Sequence, residues 1–165
     1  MTGLAITAQP ITAADFAPFG DLLDSSGDFR LINEGACRRY HDLAQLDMAG
    51  GAAGVSIFNA QPRILPYEFT LVERHPLGSQ CFMPMTQNPF LVIVAPDDGG
   101  RPGHPRAFIT APGQGVNFHR GTWHGVLTPL HAPGLFAVID RIMGPQDTDP
   151  NLEEFHYAAG VTVTA

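Results

Sequence analysis

Glycine and proline interrupt this chain so often that it cannot build long helices through its middle. With 18 Gly and 15 Pro in 165 residues, few stretches run ten residues without one. Between these breaks lie short apolar or alternating runs at 55–59, 67–75, 80–84, 90–95, 107–110, 115–119, 125–128 and 135–141. Short strands closely spaced between turn signals predict an all-β sandwich or barrel. Two segments read differently. Residues 12–17 predict a helix, with Thr12 as N-cap, Asp15 in the capping-box position and Gly20 closing it. Residues 149–157 predict a short C-terminal helix with acids in its first turn. Residues 96–105 are polar and predict a hairpin excursion. No internal repeat or long linker divides the chain, so one domain over 1–165 is expected.

Charge narrows the function. The net charge is −7, and all the basic side chains are arginine. No basic cluster exists to displace counterions from phosphates, so a nucleic-acid partner is not expected. An acidic small molecule remains compatible, because a few arginines can set a local field. Cys37 and Cys81 are far apart and form no CxxC pair, which fits a reducing, cytoplasmic setting. The N-terminus lacks the basic and apolar regions of a signal peptide. The longest apolar run, residues 90–95, is too short to span a bilayer, so no membrane partner is expected.

Strand alternation sorts the polar residues. In residues 67–75, Tyr67, Phe69, Leu71, Glu73 and His75 share one face, and Glu68, Thr70, Val72 and Arg74 the other. The first face is apolar and should point inward, carrying Glu73 and His75 with it. A buried acid and imidazole are costly unless paired, metal-bound or functional. The competing reading ends the strand at Val72 and leaves both in water; a bulge would also reverse the faces.

The stretch GVNFHRGTWHG, residues 115–125, holds two of the seven histidines and the single tryptophan. Its alternation puts Asn117 and His119 on one face and Val116 and Phe118 on the other. A tight turn at Arg120 and Gly121 follows, then His124. Two histidines here and a Glu-x-His on another strand suggest one shared site. Neutral imidazole and carboxylate from neighbouring strands suit divalent first-row metals, although no local spacing matches a zinc motif.

The pattern Gly113-x5-His119-x-Gly121-x2-His124 resembles the second cupin motif, with His119 in place of its proline. Glu73-x-His75-x4-Gln80 resembles the first, with Glu73 for the first histidine and Gln80 for the acid. A longer resemblance is to the ureidoglycolate lyase family. It is carried by RYHDLA at 39–44, ERHPLGSQ at 73–80 with FMPM at 82–85, RAFIT at 106–110, GVNFHRGTWH at 115–124 and IDR at 139–141. It runs from about residue 10 to residue 157. The resemblance implies a cupin-type β-barrel (a double-stranded β-helix, or jelly roll) with a few short helices. It implies a homodimer, release of urea and glyoxylate from (S)-ureidoglycolate, and a divalent metal such as nickel; no organic cofactor is expected.

That chemistry needs a base for the substrate hydroxyl, an acid for the leaving nitrogen and a cation for the carboxylate. Histidine suits proton transfer near neutrality. His119 or His124 is the expected base, and Glu73 or His75 the partner that orients it or supplies the proton. His75, Gln80 and His124 are the expected metal ligands, with Glu73 a further one. Arg74 and Arg120 are candidate carboxylate clamps, because a guanidinium binds bidentately; Gln80 and Asn117 complete the substrate-binding set. Alternation turns Arg74 outward, towards a dimer contact or a partner's pocket. Arg39, His41 and Asp42 read as a structural network, and Cys81 as core. Two other readings stand beside the lyase: another metal-dependent cupin enzyme, and a non-catalytic cupin that binds a small acid.

Overall fold

The computed structural model describes residues 3–165. In chain order the elements are β1 (Leu4–Thr7), β2 (Gln9–Pro10), α1 (Ala13–Phe16), β3 (Gly20–Leu23), β4 (Arg30–Ile32), β5 (Cys37–Arg39), β6 (Ala52–Asn59), β7 (Tyr67–Arg74) and β8 (Gln80–Pro84). They continue as β9 (Phe90–Ala95), β10 (Asp97–Asp98), β11 (Arg101–Pro102), β12 (Arg106–Ile109), β13 (Gly115–Phe118), β14 (Trp123–His124), β15 (Thr128–Pro129), β16 (Leu135–Ile142) and β17 (Glu153–Thr164).

Two sheets carry the fold. An eight-stranded sheet runs β1-β17-β7-β14-β9-β12-β2, with β15 also on β9. Its two edges, β1 and β2, are consecutive in the chain, so the sheet curls until it is nearly closed. A five-stranded sheet, β3-β13-β8-β16-β6, packs against it. This is a cupin-type β-barrel. Between the sheets lies a core of Phe82, Phe90, Val92, Val94, Phe108, Val116, Phe118, Phe136 and Val138. The other face of β9 carries Leu91, Ile93 and Ala95 into a second cluster with Phe69, Val72, Trp123, Val161 and Val163. Strand β9 is therefore buried on both faces, which explains its unbroken apolar sequence. Each side chain so buried contributes ~1.5–3 kcal/mol relative to exposure.

The N-terminal helix forms from its expected cap, but Ala17 ends it, and Gly20, expected to close it, opens β3 instead. Thr12 accepts from the Asp15 backbone N–H and donates its hydroxyl to the Asp15 carboxylate. The 97–102 excursion is the β10–β11 hairpin. Residues 149–157 are not helical: from Glu153 onward they belong to β17. There Phe155 and Tyr157, then Val161 and Val163, bury alternate positions, and β-branched residues fill the last turn of sequence. Period-two burial outweighs the acids at the front of the segment. Residues 125–127, expected as strand, join β14 to β15 instead.

Candidate metal and catalytic site

The polar site lies at one end of the space between the sheets. His124 on β14 pairs with Glu73 on β7 and with Val94 on β9. Val94 faces the inner core, so His124 and Glu73 face it as well. The ring of His124 stacks on Phe118, at 4.3 Å between centroids and 4° between planes. His75, one residue past β7, brings its ring to 5.3 Å from that of His124. One ligand atom from each of Glu73, His75 and His124 falls within 4.8 Å of the others.

Backbone carbonyls set the tautomers. His75 Nδ1 lies 2.7 Å from the carbonyl oxygen of Asn151, and His124 Nδ1 lies 3.0 Å from that of Gly125. A carbonyl only accepts, so each Nδ1 donates, and Nε2 is the ring atom each histidine turns to the site; in the neutral imidazole that atom carries a lone pair. Both Nε2 atoms are buried with no partner. Two bare acceptors beside a carboxylate call for a shared cation or proton. The donor set therefore fits a divalent first-row metal: neutral imidazole nitrogens fixed by backbone, plus one carboxylate. Burial pushes His124 down to about 3, with His75 adding to the effect against the Gly125 carbonyl, so it stays neutral at physiological pH. Burial also raises Glu73; His75 opposes that and Glu154 across the strand adds to it.

Gln80 completes the inward row. It pairs with Phe118 on one side and Asp140 on the other, and its Nε2 donates to Asp140 Oδ2 at 3.1 Å. Its Oε1 is buried and unpartnered. Asp140 shares the inward face of β16 with Val138 and Phe136. It was not among the expected site residues. The signal was present, because alternation through 136, 138 and 140 marks it as an acid on an apolar row. Asn151 was also missed. It acts through a backbone carbonyl, which no side-chain pattern reveals.

The remaining candidates lie elsewhere. Asn117 and His119 face the outer side of β13. Asn117 donates to Asp21 and to the Gln45 carbonyl, and His119 Nε2 is 3.0 Å from Asp21 Oδ1. Arg74 also points outward, ion-paired with Asp97 and Glu153 and lying over the Trp123 ring at 4.4 Å. Arg120 pairs with Asp47 at 3.3 Å. Thus Glu73, His75, Gln80 and His124 come together; His119, Asn117, Arg74 and Arg120 do not join them. The inward turn of Glu73 also has a different cause from the one expected. Phe69 and Val72 pack into the same outer cluster, so alternation breaks between them, and there β17 slips register between His156 and Val161. Pairing with His124 is what fixes Glu73.

A small cupin-type barrel with two imidazoles and a carboxylate converging inside it defines the class: a cupin with a metal-competent site. Comparison with known proteins narrows it. The family model for ureidoglycolate lyase matches residues 4–164. A ureidoglycolate lyase of Rhodobacter capsulatus is 59% identical over 149 residues, covering 89% of this chain and 90% of that protein. One from Chelativorans sp. is 54% identical over 155 residues, 92% of each chain. One from Mesorhizobium japonicum is 51% identical over 156 residues, 93% of each. The chain belongs to the ureidoglycolate lyase family.

Proposed function

We propose that this protein is a carbon–nitrogen lyase that splits ureidoglycolate into glyoxylate and urea. The observation that carries the reading is the pair of bare Nε2 atoms beside Glu73, buried inside the barrel of a chain from this family. In the reaction the hydroxyl loses its proton as the carbonyl of glyoxylate forms. The carbon–nitrogen bond breaks, and the leaving nitrogen takes a proton to become urea.

The inner residues suit each need. In the metal-free cluster His75 Nε2 takes the hydroxyl proton, because burial keeps His124 from holding one, and Glu73, held protonated more readily by burial, returns one to nitrogen. The chemistry a metal on Glu73, His75 and His124 supplies is Lewis acidity towards the substrate's hydroxyl and carboxylate. With those three as ligands, Asp140 is the inner carboxylate left to exchange protons. Asp140, fixed by Gln80, also matches the N–H donors of the ureido group. His119 sits outside this set and serves the wall that Asp21 ties together.

The same reading includes a homodimer in the cytoplasm. The outer side of edge strand β6 exposes Val55 and Ile57, 73% and 58% accessible, which a second copy would cover. Both cysteines are free, and among the described residues no helix is long and apolar enough to cross a membrane.

Product analysis tests the activity. Purified protein receives ureidoglycolate, after chelation and again after nickel is restored, and urea, ammonia and glyoxylate are quantified against spontaneous decay. Equimolar urea and glyoxylate without ammonia is the expected result. Ammonia in place of urea overturns the reaction type, and no turnover in either state leaves a cupin that only binds small acids.

A further inference from the structure

Ureidoglycolate is an anion, and the inner site that receives it is acidic. Glu73 and Asp140 face inward, and Glu154 lies across the strand from Glu73. A metal would offset part of that charge. It would not supply the planar two-point match that a carboxylate finds in a guanidinium.

The chain has nine arginines and no lysine, and seven of the nine are engaged. Arg74, Arg106, Arg120 and Arg141 are ion-paired with acids. Arg38, Arg63 and Arg101 lie over the rings of Phe29, Tyr67 and Phe155. Among the described residues, Arg30 and Arg39 alone have neither an acid in ion-pair range nor a ring. They sit directly opposite each other across the β4–β5 ladder. Like charges facing each other across strands are destabilising, and together with Asp28, Phe29 and His41 they line an open recess.

Among the described residues, the hairpin that carries them pairs with no strand of the barrel. It leaves β3 at Leu23, opposite Gly115, and the chain after it returns at the other end of that ladder, where the Gln45 N–H donates to Asp21 and the Asp47 N–H to Ser79. Two three-residue strands on their own are marginal in water. Phe29 and Leu31 on this hairpin are 44% and 61% exposed. A basic, apolar arm without a partner and an acidic barrel mouth on the same chain are complementary. Two copies related by a two-fold axis bring such surfaces together twice.

We propose that in a symmetric dimer the Arg30–Arg39 pair of each copy closes over the barrel mouth of the other and clamps the substrate carboxylate. The occupant of the hairpin surface is thus a second copy of this chain. The inference rests on the ureidoglycolate reading given above.

Complementation between two inactive variants tests it. One variant carries Arg30→Gln with Arg39→Gln; the other carries His124→Gln, or Glu73→Gln if the histidine variant does not fold. Each homodimer should lose turnover, the arginine variant on the order of 100-fold. The two chains are then co-expressed with different tags and the mixed dimer is purified. A clamp acting between copies rebuilds one intact site per mixed dimer and restores roughly half of the wild-type rate. A mixed dimer no more active than its parents overturns the proposal, as does wild-type activity in the arginine variant or a monomer by light scattering. Wild-type turnover is measured first. An inactive wild type sinks the lyase reading and the clamp together, whereas an active wild type with a dead mixed dimer sinks the clamp alone.

Discussion

His119 and His124 stand on either side of one turn and occupy opposite environments. His119 lies on the outer side of the barrel, its side chain 42% exposed and its Nε2 held by Asp21. His124 lies inside, 1% exposed, with Nδ1 satisfied by a backbone carbonyl and Nε2 bare. Gly121 makes the turn between them at φ +78, a conformation that favours glycine, and donates its N–H to the His75 carbonyl. One turn therefore sends one histidine out, one in, and steadies a third. The lesson is that residue type did not distinguish the two. What separates them is the partner: Asp21 satisfies the Nε2 of His119, whereas the Nε2 of buried His124 has none.

The largest effect should come from the inner histidine. His124→Gln is expected to lower kcat/KM by about 1,000-fold or more, the scale of a lost general base or metal ligand. His119→Gln should lower it less than about tenfold, through small shifts of the turn. Steady-state kinetics on both variants, with circular dichroism to confirm folding, checks the contrast. Equal losses would erase the distinction between the two sides.

Metal affinity should separate the same regions. On chelator-stripped protein, calorimetric titration with nickel should show Glu73→Gln weakened by at least about 10–100-fold. Asp21→Asn should bind as the parent does. If the outer variant weakens binding and the inner one does not, the cluster of Glu73, His75 and His124 is not the metal site.

A smaller effect is expected at the turn. Gly121→Ala forces a side chain into the left-handed region, at a cost of about 1 kcal/mol, although a Cβ there meets no neighbour. Because Gly121 also holds His75, its kcat should fall more than that stability loss implies. A variant with unchanged kcat and lowered Tm would confine the turn to a structural part.

The sequence made much of the barrel legible, and the reasons are local. Strands β8 and β9 match their expected limits because apolar runs there end at clear Gly, Pro or polar breaks. The hairpin strands β4 and β5 went unseen, since three residues cannot show a period. The C-terminal segment misled because its acids precede the alternation of Phe155, Tyr157, Val161 and Val163. In the site, Glu73 and His75 were found by extending an apolar row that the β17 register slip in fact interrupts. Asp140 was equally readable from β16 and was passed over. His119 and Asn117 were drawn inward by their neighbourhood in sequence, although Val116 and Phe118 fill the inner face of β13 and leave them outside.

The smallest expected effect belongs to that outer wall, and its pH dependence identifies it. Burial alone would raise the Asp21 pKa. Hydrogen bonds from the Gln45 backbone, Asn117 and His119 outweigh burial and hold it below the ordinary value of 3.8. A carboxylate depressed in the folded state stabilises the fold above its unfolded pKa and loses that contribution as pH falls towards the folded one. Asp21→Asn should therefore lower stability near neutrality by about 1 kcal/mol, or on the order of 3 °C in Tm. The gap from the parent should narrow as pH falls through 3.8, because the parent carboxylate is then being protonated too. Thermal melts of both proteins from pH 7 down to pH 3 would show it. A gap that stays constant across that range would mean that the wall is held by shape and neutral hydrogen bonds, and that the Asp21 charge does not separate it from the inner site.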